Sequence, residues 1–241
     1  MATIVAGARG RPRQDRLFFG GAALALVLVT FVGFAPTYYL ASAFHAPALS
    51  PLVHLHGIAF SAWILLFAAQ SALIASRRTD LHRRAGMFGA ALALFVLGLG
   101  IVVAIEGARH GGGGPQRNQP VFLINPLTNI LLFGGLFATA ILWRRDAGLH
   151  KRLMLLATVA LAVTPLARLS RMLGSPYPPP IGGMLLSDLF VIALMMFDYR
   201  TRGRLHPATA WAGGIMLVSQ PLRVFVSHTP AWQGLATMII G

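Results

Sequence analysis

Seven long apolar runs alternate with short polar corners along the chain. Each run is about as long as the ~20 residues a helix needs to cross a bilayer. They predict seven transmembrane helices over residues 17–40, 52–76, 85–106, 121–143, 153–173, 181–199 and 208–226. Inside the runs apolar residues continue round every face, which fits a lipid-embedded helix better than a surface helix of a soluble domain. Residues 17–226 are read as one seven-helix transmembrane domain. A basic tail over 1–16, without regular structure, precedes it. A short tail over 227–241, carrying Trp232, lies along the outer surface. Ala41-Ser42-Ala43 imitates a signal-peptidase site, but the run before it exceeds a signal-peptide core, so the first helix is expected to be retained.

The polar corners set the orientation. Basic residues gather in four groups: Arg9, Arg11, Arg13 and Arg16; Arg77, Arg78, Arg83 and Arg84; Arg144, Arg145, Lys151 and Arg152; and Arg200, Arg202 and Arg204. With seven spans all four groups fall on one side, the signature of a cytoplasmic face. The prediction is an all-α polytopic protein, N-inside and C-outside. The opposite side receives a glycine-rich loop over 110–115 and a proline-rich turn over 175–180, which are stiff or flexible breaks between helices. Gly86, Gly89, Gly98 and Gly100 offer the third helix a small surface for close packing.

Composition agrees. Hydrophobic residues make up 56% of the chain and charged residues 11%, with a mean hydropathy of +0.69. A soluble domain carries about a quarter charged residues. The net charge of +14 resides largely in the four corners, where it suits anionic lipid headgroups, not nucleic acid. There is no cysteine, which excludes disulfides, thiolate metal sites and cysteine nucleophiles.

The run Trp63…Gln70…Leu81-His82-Arg83-Arg84-x-Gly86 resembles a motif of uncharacterised bacterial multi-spanning membrane proteins, with a glutamine in one helix and LHRR-x-G opening the next. The segment His150–Thr158 resembles another part of the same proteins. The resemblance implies a multi-pass protein of the bacterial inner membrane and carries no assigned activity. A looser similarity to membrane b-type cytochromes, which place histidines in helical bundles, makes haem b a candidate cofactor.

His82, His150 and His206 each open a helix on the basic side. They are either haem or metal ligands, or helix caps and lipid contacts. The second reading groups His82, Arg83, Arg84, His150, Lys151, Arg152 and His206 as lipid-headgroup residues. His54 and His56 are two apart and point about 200° from each other on a helix, so only one faces the bundle. If haem is present, His54 or His56 is its ligand.

Depth singles out a further set. Asp188 lies ten residues from Asp198, roughly 15 Å along the helix and so near the midplane. Arg223 stands roughly 24 Å beyond Pro207. His56, Asn125, Asn129, Arg168, Arg171, Asp188, Gln220 and Arg223 are thus expected in the outer half, either as an internal network with Asp188 paired to Arg223 or Arg168, or as a cationic ligand site. Pro165 and Pro221 free backbone carbonyls nearby. Three functions follow: a non-catalytic protein binding a small anionic or lipid-like ligand, or serving as a subunit of a membrane complex; a haem electron carrier with arginines on the propionates; and a proton-coupled transporter using Asp188. No nucleophile stands beside a base in the pattern, which argues against a hydrolase.

Overall fold

The structure is a computed structural model that describes residues 7–111 and 118–241, with side chains from residue 13 onward. Residues 1–6 of the expected tail, the side chains of Arg9 and Arg11, and most of the glycine-rich loop lie outside the described residues.

The described residues form eight α-helices and no strand: α1 (Gly7–Phe34), α2 (Pro51–Ala75), α3 (Thr79–Arg109), α4 (Gln119–Leu142), α5 (Ala147–Met172), α6 (Pro179–Arg202), α7 (Pro207–Ser227) and α8 (Pro230–Ile240). A π-helical turn, Ala35–Tyr39, follows α1. Six helices, α1 to α6, are long and apolar enough to cross a membrane. The seventh expected span, α7, is 21 residues long, but Ser219, Gln220 and Arg223 dilute its apolarity. Two expectations about the ends change. Helix α1 begins at Gly7, so residues 7–16 extend the first helix and are not a loose tail. Residues 230–240 form α8, a helix of their own.

Local chemistry sets the helix ends. Proline occupies the first turn of α2, α4, α6, α7 and α8, where its missing N–H costs no hydrogen bond and its fixed φ suits the helix. Ser50, Asn118, Asp146, His206 and Thr229 accept backbone N–H groups as N-caps of α2, α4, α5, α7 and α8. Gly203, at φ +71°, ends α6 in the left-handed conformation that glycine adopts most easily.

Helix α5 is the axis of the bundle. It packs against α1, α4, α6 and α7, while α2 and α3 complete the circuit between α1 and α4. Nearly every residue from Leu153 to Leu166 is buried, the state expected of a helix apolar all round. Backbone approaches the α5 backbone closely on this axis, while Gly100 of α3 packs against Ile130, where a Cβ would fall 2.7 Å from its side chain. A Cβ on Gly183 of α6 would fall 2.6 Å from the Val163 carbonyl oxygen, and one on Gly33 of α1 would fall 2.5 Å from that of Pro165. Gly98 of α3 faces open space. An aromatic cluster locks α2 to α4, with Trp63 edge-on to Phe133 at 5.0 Å and to Phe137 at 5.7 Å.

The basic corners meet at one end of the bundle. Arg16 donates to the Ala75 carbonyl at 3.3 Å, Lys151 pairs with Asp15 at 2.6 Å, and the His82 and His150 rings stand 6.4 Å apart. At the other end α8 folds back over α3 and α4. Trp232 Nε1 donates to the Pro120 carbonyl at 2.7 Å, Arg109 Nε to that of Ile240 at 2.8 Å, and Ala236 packs with Ala104, Ala108 and Leu123.

Candidate functional site

Arg223 is the most unusual side chain in the half of the bundle away from the basic corners. It sits on α7 facing α4 and is only 4% exposed. Its Nη1 donates to Asn129 Oδ1 at 2.7 Å, its Nη2 to Ser219 Oγ at 2.9 Å and its Nε to the Ser219 carbonyl at 3.2 Å. These bonds use three of the five N–H donors of a guanidinium. Among the described residues no carboxylate lies within ion-pair distance of it. Asn125, one turn further out on α4, has a buried Oδ1 with no hydrogen-bond partner. An amide and a buried cation therefore meet across the α4–α7 seam, with a second amide one turn along α4.

The other outer-half residues do not converge on this seam. Asp188 accepts from Gln220 Nε2 at 2.6 Å, and among the described residues it forms no ion pair with an arginine, unlike the expected internal network. The reason is helical phase: positions 220 and 223 point about 60° apart, so α7 turns Gln220 towards α6 and Arg223 towards α4. Arg168 leans instead on α1. Its Nη1 donates to Thr37 Oγ1 at 2.8 Å, and its guanidinium lies 4.7 Å from the Phe34 ring centre. Arg171 is exposed and takes no part in a buried set. His56 stacks on Phe60 with ring centres 4.1 Å apart, and its Nδ1 is buried without a partner. His54 is exposed, with its ring 5.9 Å from that of Tyr38 and its carbonyl accepting from the Tyr38 hydroxyl at 3.2 Å.

At the basic end two of the expected headgroup residues are interior. Arg152 is 2% exposed and Asp198 is 0% exposed. Arg152 Nε donates to both carboxylate oxygens of Asp198, at 2.9 and 3.2 Å, and Nη2 closes a second contact to Oδ1. Thr209 Oγ1, at 2.5 Å, and the His206 backbone N–H, at 3.1 Å, complete the shell of Asp198. The network ties α5, α6 and α7 together, so Arg152 is a buried ion-pair partner and not a lipid contact. His206 is likewise buried. Its Nδ1 accepts the Ala208 N–H at 3.1 Å, capping α7. Burial first, then the nearby Arg152 and Arg202 charges, hold its imidazole below the usual histidine range, against the pull of Asp198 and Asp146. Arg83 and Arg84 remain exposed and Lys151 partly so.

Asp198 and Thr209 were not singled out in the sequence. A signal existed: a carboxylate one turn before the end of α6 faces the negative end of the helix dipole and so calls for a cation. Gln70 has a defined part in the LHRR-x-G motif, because its Nε2 donates across the corner to the His82 carbonyl at 3.2 Å. The motif is thus a side-chain clamp between the end of α2 and the start of α3.

Cavities lie elsewhere. A groove of about 430 Å³ between α1, α5 and α6 is lined by apolar residues such as Phe18, Gly21 and Phe190. A second of about 340 Å³ at the basic end is lined by Asp146, Arg202, Arg204 and His206 among others. Neither includes any of the eight outer-half residues. No family model, curated protein or solved structure matches this chain.

Proposed function

We propose that this chain is a non-catalytic inner-membrane protein of seven spans, N-inside and C-outside, that holds a small anionic or lipid-like ligand at Arg223. The observation that carries the reading is a buried arginine with amide and hydroxyl partners, two spare donors and no counter-ion among the described residues. An uncompensated cation inside a bilayer-embedded bundle is costly and faces a partner or a cavity. A carboxylate or phosphate supplies the missing charge and accepts from a planar guanidinium in bidentate fashion. Asn129 offers its amide N–H group beside it, and Asn125 lies one turn along the same helix. The apolar surroundings suit an anion attached to a hydrocarbon chain. Membrane lipids, or a subunit of a larger membrane complex, are the partners this reading implies.

The test is thermal unfolding of the detergent-purified protein with decanoate and, separately, with inorganic phosphate. Stabilisation by decanoate alone identifies a carboxylate lipid, and stabilisation by phosphate identifies the free or headgroup anion. Either must vanish in Arg223→Gln. No shift with either probe, or an equal shift in the variant, rejects the reading. Reporter fusions after Tyr177 and Gly203 test the orientation: the first is external and the second internal if α1 to α6 each cross the membrane with the N-terminus inside.

A further inference from the structure

The corner formed by α2, α3 and α5 brings two imidazole rings together and anchors an amide to the backbone of one of them. His82 and His150 open α3 and α5, with ring centres 6.4 Å apart and planes at 85°. His150 Nδ1 lies 2.9 Å from the Ala140 carbonyl oxygen. A carbonyl only accepts, so Nδ1 carries the proton and Nε2 keeps its lone pair. A histidine that donates one ring N–H to a backbone carbonyl and presents the other nitrogen as a base is arranged as metal-ligating histidines are. His82 Nδ1 is buried and has no hydrogen-bond partner. Gln70 is anchored through Nε2 to the His82 carbonyl, and its Oε1 is also buried without a partner. Two buried polar atoms, one on the His82 ring and one on the amide bonded to its carbonyl, are thus without partners.

We propose that His82, His150 and Gln70 Oε1 bind one late first-row divalent metal ion, zinc or copper, with water completing its shell. Among the described residues no three His, Asp or Glu side chains gather for a metal; this set differs in taking an amide oxygen as third ligand. Imidazole suits these ions, and copper and zinc stand at the strong end of the divalent series. A metal bonded at about 2.1 Å to one nitrogen of each ring holds the ring centres roughly 5–6 Å apart, so the rings need close by only about 1 Å. The local charge is mixed. Arg83 and the positive ends of two helix dipoles oppose a cation, while Asp80 in the first turn of α3 and Asp146 at the N-cap of α5 place one carboxylate at each helix start.

The experiment uses the full chain, purified in detergent, stripped with chelator and dialysed against Zn²⁺ or Cu²⁺. The expected result is one ion per chain, with binding weakened about tenfold or more in His82→Gln and in His150→Gln, weakened less in Gln70→Leu, and unchanged in His54→Gln. Copper paramagnetic resonance of the wild-type protein should show hyperfine coupling to two imidazole nitrogens, a readout independent of whether any variant folds. Absence of a bound ion, binding by the two histidine variants equal to wild type, or a copper spectrum lacking the two-nitrogen coupling overturns the proposal.

Discussion

Replacing Arg152 by methionine tests whether the basic end is held by a buried ion pair. Methionine matches the length of the arginine stem, so the change is mainly electrostatic. Asp198, 0% exposed, would keep Thr209 and the His206 N–H but lose every charged donor. Breaking a buried pair from one side costs about 3–5 kcal/mol, because the remaining charge is left uncompensated. Asp198→Leu should cost a similar amount for the mirror-image reason. The double variant removes both charges and leaves only the Thr209 hydroxyl and the His206 amide unpaired, at about 1–3 kcal/mol each. It should therefore be no worse than either single change by a wide margin, with a coupling energy of about 3 kcal/mol. Equilibrium unfolding of the detergent-solubilised protein by SDS titration, followed by circular dichroism, measures all three. If Arg152→Met costs less than about 1 kcal/mol, or if the single changes simply add, the network does not hold α5, α6 and α7 as described.

Gly183→Ala should destabilise by about 1–3 kcal/mol through overpacking, since its methyl would press on the Val163 carbonyl and Ala167, whereas Gly98→Ala should leave the same unfolding curve in place or shift it slightly upward. Asp188→Asn should be mild, because an amide oxygen accepts from Gln220 as a carboxylate does; a loss as large as that of Arg152→Met would mean that Asp188 is ion-paired after all. His206 gives a pH dependence. Its folded-state pKa lies below the unfolded value near 6.5, so its contribution is complete above that pH and is lost as the pH falls through it towards the folded value. His206→Asn, which preserves an N-cap acceptor, should flatten the unfolding midpoint below pH 6.5; an unchanged acid profile would show that His206 does not titrate on unfolding.

The chain alone determined the helical class and the positions of the corners, because run length, proline and cap residues act locally. The run of α5 from Leu153 to Val163, apolar but for Thr158, already marks a helix with no preferred outer face. The fate of each polar side chain was not local. Arg152 lies among residues that read as a lipid-facing basic corner, yet it turns inward because Asp198, 46 residues later, arrives on a neighbouring helix. Depth alone makes an arginine a candidate partner for Asp188, and depth is only one coordinate. The rotation of α7 about its own axis decided that Gln220 meets Asp188 while Arg223 meets Asn129. In the same way LHRR-x-G marked a corner, but only the packing of α2 beside α3 and α5 brought Gln70, His82 and His150 together. Spacing along one helix fixes height and relative angle, whereas the absolute facing of each helix is set by close packing at contacts such as Gly33 on Pro165 and Gly183 on Val163, which depend on residues far apart in the chain.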